Sequence, residues 1–483
     1  MEKVEHMKKL LVIAIGSLLG AAVASAQIGR SLDWSSYAND NQRTGWEKSS
    51  ARFSKDTIPK EFQFLWKIKP SGGGPHKLMP PMILGTLVGY RGFKELAFFG
   101  DANDAMYVYD ADLDRPYWDK KFDYSAAKPK AGPTSTCPAG MTAAPTLISV
   151  TFRRPPPRPA TPGAAAPRPT PNPLFGPRSV YSIASDGRLR RSNVADGSDM
   201  APPAAVLPSN ANVGALNIND MVIYTTTNSD CGGASNSVWA VDIGEGDTPV
   251  IKSYESKGGH FDAQGGVAIG NDGTVYAQGG AGDTLLALTP RDLQLKGAFK
   301  APGGLKPDVT PVVFAHGGRD VIVSAGKDGR LYVADSKAVD SAPIAMSEPL
   351  GGSLYGGIST WAEQDGPRWV LATVWGTTGK IIALKLNVEG TKLETAWTSA
   401  DLVKPLAPMI AGGAVFAISS GDAGKSNAVA YALDGTTGKE LWSSKNQITA
   451  AGNLTGFTMA NGRLYLSTVD GSVWVFGIPL IWD

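Results

Sequence analysis

The chain is short of the residues from which most catalytic and metal centres are assembled. It holds four histidines and two cysteines in 483 residues. His6 lies in the N-terminal apolar region and His316 falls in a predicted hairpin loop, so no histidine metal cluster can be built. There is no CxxCH for haem attachment, no HExxH, no GxSxG and no GxxxxGK[ST]. The isolated stretch Gly376 to Lys380 reads as a turn between strands. Charge of one sign is also lacking. With 46 basic and 44 acidic residues intermixed, the net charge of +2 gives no electrostatic case for a nucleic-acid partner. Long amphipathic helical patterns are absent, and beyond the N-terminus no apolar run could span a bilayer.

What the chain does have is glycine and short strands. Hydrophobic residues at 42% and 57 glycines describe a globular, turn-rich chain rather than a disordered one. The N-terminus has the form of an export signal, with Lys8 and Lys9 before an apolar run from Leu10 to Val23 and then Ala24-Ser25-Ala26. Cleavage after Ala26 predicts a soluble periplasmic or secreted protein without a membrane span, and a monomer is expected.

The organising unit lies near the other end, at residues 429–442. Val429, Tyr431 and Leu433 alternate with alanines, Asp434 to Gly438 supplies turn chemistry, and Leu441-Trp442 resumes a strand. Worn copies stand at 107–118 and 238–250. Strand starts recur at residues 80, 144, 214, 265, 310, 356, 406 and 455, and each interval holds a second strand and a hairpin. This predicts an all-β fold, an eight-bladed β-propeller of four-stranded antiparallel blades. The last unit lacks its turn-plus-Trp half, while an orphan strand with Trp66 stands near the N-terminus. The ring is therefore expected to be closed by that N-terminal strand, with Trp66 pairing near Trp474. The expected partition is a signal peptide at 1–26, a closing segment at 27–79 and a propeller at 80–483.

The pattern Ala432, Asp434, Gly438, Trp442 resembles the repeat of the pyrroloquinoline quinone (PQQ) propellers. Asp110 and Trp118 match it, as do Ala240, Asp242 and Gly246, with Asn193 and Gly197 a looser match. The leader from Asp33 to Trp46 also looks like the opening segment of these proteins. The resemblance implies that each Trp stacks on the next blade's Gly and that the Asp holds the turn. It also implies two functional classes. One is a non-catalytic binding scaffold, as in the outer-membrane assembly lipoprotein of this superfamily; the other is a PQQ-dependent dehydrogenase oxidising alcohol or sugar with calcium-bound quinone. The dehydrogenases carry an adjacent Cys pair that this chain lacks, so the scaffold is preferred.

In a propeller, the loops leading into the innermost strands ring one mouth of the central channel. Those loops supply His76, Lys77, Asn212, His260, Asp262, Gln264, Lys306, Asp308, Tyr355, Lys404 and Asn453. Convergent polar groups in a concavity predict a site for a polar small molecule or a protein partner. Asp262 and Asp308 are the acidic members, and no metal ligand set can be assigned. Cys137 and Cys231 both fall on the mouth face, and in an exported chain they are expected to form a disulfide. Residues 153–178 hold ten prolines, five arginines and no acid, and are read as a disordered arm inserted between the first two strands of a blade.

Overall fold

The computed structural model describes residues 33–48, 53–70, 77–89, 92–122, 137–138, 140–148, 178–244, 248–363, 366–450 and 454–479. The export signal, nearly all of the Pro/Arg-rich arm, His76 and Asn453 lie outside them. Eight antiparallel sheets follow one another along the chain and form the blades of a propeller. Blade 1 runs from Met82–Gly89 to Arg115–Lys121, and blade 2 from Thr146–Leu147 to Ala204–Ala205. Blade 3 runs from Asn212–Val213 to Val250–Glu255, blade 4 from Ala268–Ile269 to Leu295–Phe299 and blade 5 from Val312–His316 to Ala345–Met346. Blade 6 runs from Ser353–Ala362 to Leu393–Thr398, and blade 7 from Met409–Ala411 to Glu440–Ser443.

Blade 8 joins the two ends of the chain. Its three C-terminal strands end at Val473–Gly477, and its outer strand is Gln63–Ile68, which pairs antiparallel with it. Trp66 stands opposite Val475 and Lys67 opposite Trp474, one residue from the pairing expected. Phe64 packs against Phe476 and Trp474 at ring-centroid distances of 5.6 and 6.0 Å, contacts worth about 0.5–1.5 kcal/mol each beyond their area. Closure thus rests on side-chain packing as well as on the strand ladder.

Adjacent blades pack face to face, and this explains the alanines of the repeat. In Val429–Asp434 the fully buried positions are Ala430 and Ala432, while Val429 and Tyr431 are half-buried. Small side chains let the neighbouring sheet approach. The space left at the outer strand is filled by tryptophan. Trp397 donates its indole N–H to the Gly435 carbonyl of the next blade at 3.0 Å, and Trp118 donates to Val194 in the same way at 3.0 Å. Each ring lies on a left-handed glycine, Gly438 at φ +72° and Gly197 at φ +73°.

The aspartate of the repeat holds its turn. Asp434 accepts from the Thr436 and Thr437 amides at 2.8 and 3.0 Å and from Lys55 at 3.2 Å. Burial alone would raise its pKa, but the Thr436, Lys55 and Thr437 hydrogen bonds outweigh burial and hold it at about 2. Asp110 likewise accepts from the Asp112 amide and Lys94, and Asp242 from the Gly244 amide and Arg291. Trp442 departs from the pattern because the next blade takes its outer strand from the N-terminal segment. It meets Phe62 edge-on at 4.7 Å and Phe476 at 5.5 Å instead of a glycine.

Candidate functional site

The propeller channel is closed from within by the leader. Between Asp33 and Lys48 the chain passes across the inner strands and bonds to blade after blade. Trp34 exchanges two backbone hydrogen bonds with Ile83 of blade 1, at 2.8 and 2.9 Å, and the Ser35 carbonyl accepts from Leu147 of blade 2. The Asn41, Gln42, Thr44 and Gly45 carbonyls accept from Ile269, Val313, Thr360 and Ile410, the innermost strands of blades 4 to 7. Trp46–Glu47 then adds to Met409–Ala411 as a parallel strand. Buried backbone groups need partners, and here eight separate strands cannot pair with one another around a channel. The leader supplies the missing acceptors.

Arg43 pins the plug. It has φ +62°, is almost fully buried and donates to three main-chain carbonyls: Tyr37 at 2.8 Å, Val267 at 3.0 Å and Leu216 at 3.1 Å. Burial pulls its pKa down to about 10, with Tyr37 and Asp40 opposing the shift. At the far end of the segment, Glu47 accepts from the Asn461 amide of blade 8 at 3.3 Å and is pushed up to about 8, chiefly by burial. It is neutral at pH 7.

Above the plug the mouth is a blind cup of about 350 Å³. Its floor includes Tyr37 of the leader, whose ring would lie 2.6 Å from a Cβ built on Gly265. One wall is apolar, from Leu406, Met409, Leu454 and Phe457 of blades 7 and 8. Three of the residues expected at the mouth reach the cup, Lys77, Gln264 and Tyr355. Tyr355 stacks on Trp375 with centroids 3.7 Å apart and planes at 19°, and Trp375 is fixed by donating to the Pro405 carbonyl at 2.9 Å. Burial raises the Tyr355 pKa, with Asp308 adding to the shift, and raises that of Tyr37 to about 12. Lys77 is accessible through the open end, yet the surrounding protein strips enough water from its ammonium to lower its pKa.

The other expected residues among those described stand on the rim. Lys306 bridges Asp308 at 3.3 Å and donates to the Ser353 hydroxyl at 3.1 Å, and its carbonyl accepts from the buried Gln278 amide at 2.6 Å. His260 meets Asn236 at 3.4 Å. Burial raises the Asp262 pKa, Asp308 and Asp283 add to that, and His260 opposes it. Asn212 is spent on Asn228 within blade 3, and Lys404 on an exposed pair with Asp422 at 3.0 Å. Cys137 and Cys231 form the expected disulfide, tying the loop before blade 2 to the hairpin of blade 3. The floor residue Tyr37 and the apolar wall were not expected from sequence. The tyrosine sits in a polar leader, and the wall belongs to strands that read as core.

Calcium-bound quinone requires a set of oxygen donors converging on the metal. Among the described residues no group of three or more His, Cys, Asp or Glu side chains is placed to hold a metal ion. The rim carboxylate Asp308 is already paired with Lys306. The residues described do not fit that group.

Fold and site together define an eight-bladed propeller with a plugged channel and an open cup at its mouth. Its architecture is similar to that of the quinohemoprotein alcohol dehydrogenase from Comamonas testosteroni, at 13% identity over 93% of this chain and 81% of that one, with a TM-score of 0.59. It is also similar to BamB from Moraxella catarrhalis, at 15% identity over 86% of this chain and 99% of that one, TM-score 0.50. The C-terminal WD40 domain of Sif2 is a third such structure, at 11% identity over 87% of this chain and 99% of that domain, TM-score 0.57. No protein-family model matches the sequence, and no curated protein matches it. At such identities the likeness establishes the propeller and leaves its chemistry to the site.

Proposed function

We propose that the protein is an exported, non-catalytic propeller that binds a small ligand in the channel mouth and presents the surrounding rim to a partner. The observation that carries this reading is the cup itself. The leader closes the channel beneath it, which turns a through-channel into a concavity of about 350 Å³ with one apolar wall and a few polar groups. Cavities of ~300–1,000 Å³ with that composition are where small ligands bind. The pairing of the Asp308 carboxylate with Lys306 supports binding over chemistry.

The test uses a neutral apolar fluorophore, N-phenyl-1-naphthylamine, with the full chain. Saturable one-to-one binding that disappears when Ala407→Trp fills the cup is expected. Binding that is absent, or unchanged in that variant, would remove the reading. The fold likeness to a quinohemoprotein alcohol dehydrogenase over 93% of the chain favours a second reading, a PQQ-dependent oxidoreductase. Dye-linked alcohol or sugar oxidation after incubation with PQQ and calcium, lost in Asp262→Asn or Asp308→Asn, would establish it instead.

A further inference from the structure

The polar side chains of the cup include hydrogen-bond donors without a carboxylate to meet them. Its described lining includes the Lys77 ammonium, the Gln264 amide and the Tyr37 and Tyr355 hydroxyls, and contains no aspartate or glutamate. Among the described residues none of these four side chains has a hydrogen-bond acceptor, whereas on the rim Lys306 is taken by Asp308 and Lys404 by Asp422. A concavity that gathers an ammonium and unpaired N–H and O–H donors, with no carboxylate in its described lining, is complementary to a ligand that brings a charged acceptor. Among its described lining residues Lys77 is the one cation. A dianion such as a phosphate monoester would leave a charge uncompensated beside an apolar wall, with Asp262 and Asp308 nearby on the rim to repel it. A single negative charge is what the cup can neutralise, and Leu406, Met409 and Phe457 call for an apolar body behind it.

We infer that the cup takes a monocarboxylate with an aryl or medium-chain alkyl body, its carboxylate on Lys77 and the tyrosine hydroxyls and its body against the blade 7 and 8 wall. This rests on the cup being a ligand site and adds the class of ligand. The lowered pKa of Lys77 has a consequence for such a ligand: its charge, and with it the preference for a carboxylate, fades at a less alkaline pH than an ordinary lysine would allow.

Calorimetric titration of the full chain with octanoate and with octanamide at pH 7 separates charge from body. Octanoate should bind about 10-fold tighter, the difference between a charge-assisted and a neutral hydrogen-bonded contact. Lys77→Gln should remove that preference and Lys77→Arg retain it. Equal affinity for acid and amide, a preference that survives Lys77→Gln, or no binding of either compound would overturn the inference. N-Phenyl-1-naphthylamine binding that persists in any of those cases leaves the cup reading standing, so the two fail separately.

Discussion

The indole of Trp397 fills the space where a side chain on Gly438 would begin: a Cβ built on that glycine would lie 2.6 Å from the ring. The same relation holds between Trp118 and Gly197, at 2.8 Å. Gly438 is therefore required twice, once for its positive φ and once for the neighbouring blade. Gly438→Ala should lose about 2–4 kcal/mol, the sum of the left-handed penalty and overpacking. Gly424 has φ +76° with nothing within 4 Å of its Cβ position, so Gly424→Ala isolates the first part, about 1–2 kcal/mol. Urea unfolding of both variants checks this, and equal losses would contradict the packing role.

Arg43 is a buried cation whose hydrogen bonds go to three main-chain carbonyls. Replacing it by Met removes the cost of burying a charge but leaves three carbonyls without a donor. Each orphaned group costs about 1–3 kcal/mol, so a net loss of about 3–5 kcal/mol is expected in denaturant unfolding. A neutral or stabilising outcome would mean that the plug is held without it.

Glu47 gives the plug a pH dependence. Its pKa is raised from 4.5 to about 8 in the folded chain, so between those values the folded state holds a proton that the unfolded state has released. Stability contributed by this group is therefore full below about pH 4.5, declines as pH rises and is lost above about pH 8. Glu47→Gln, which cannot ionise, should lose less stability than wild type between pH 5 and 8. Parallel pH profiles for the two proteins would show that Glu47 titrates normally.

The disulfide spans 94 residues of sequence and crosses from the loop before blade 2 to blade 3. In the chain-entropy account, a bridge closing so long a loop contributes up to about 4.7 kcal/mol, and native disulfides typically contribute about 2–4 kcal/mol. The Cys137→Ser, Cys231→Ser double variant should unfold at correspondingly lower denaturant with the same overall fold. An unchanged midpoint would show that the two loops are already ordered without the bridge.

The propeller was legible because its information is local and repeated. The Asp434 turn, the Trp118 spacing and the orphan strand around Trp66 each encode a contact between neighbouring elements. The plug was not legible. Its polar residues read as an exposed leader, and their purpose appears only when Asn41, Gln42, Thr44 and Gly45 meet four different blades. The candidate site was legible in part for a related reason. Lead-in loops show which residues ring the mouth, as with Lys77, Gln264 and Tyr355, but not which of them face an empty space. That distinction depends on Tyr37, which the leader carries to the floor of the cup, and on Trp375, which stacks on Tyr355 within blade 6.

The central claim is that the leader closes the channel and makes its mouth a cup. Hydrogen–deuterium exchange of the native protein, read by mass spectrometry on a peptide spanning residues 36–47, tests it most directly. Amides such as Gly45, bonded to the Ala38 carbonyl at 2.9 Å inside the ring, should exchange only with global unfolding, as should those of Ile269, Val313, Thr360 and Ile410 that donate to the leader. Exchange of this peptide at the rate of an unstructured chain, with the blades protected, would mean that the channel is open and the cup has no floor.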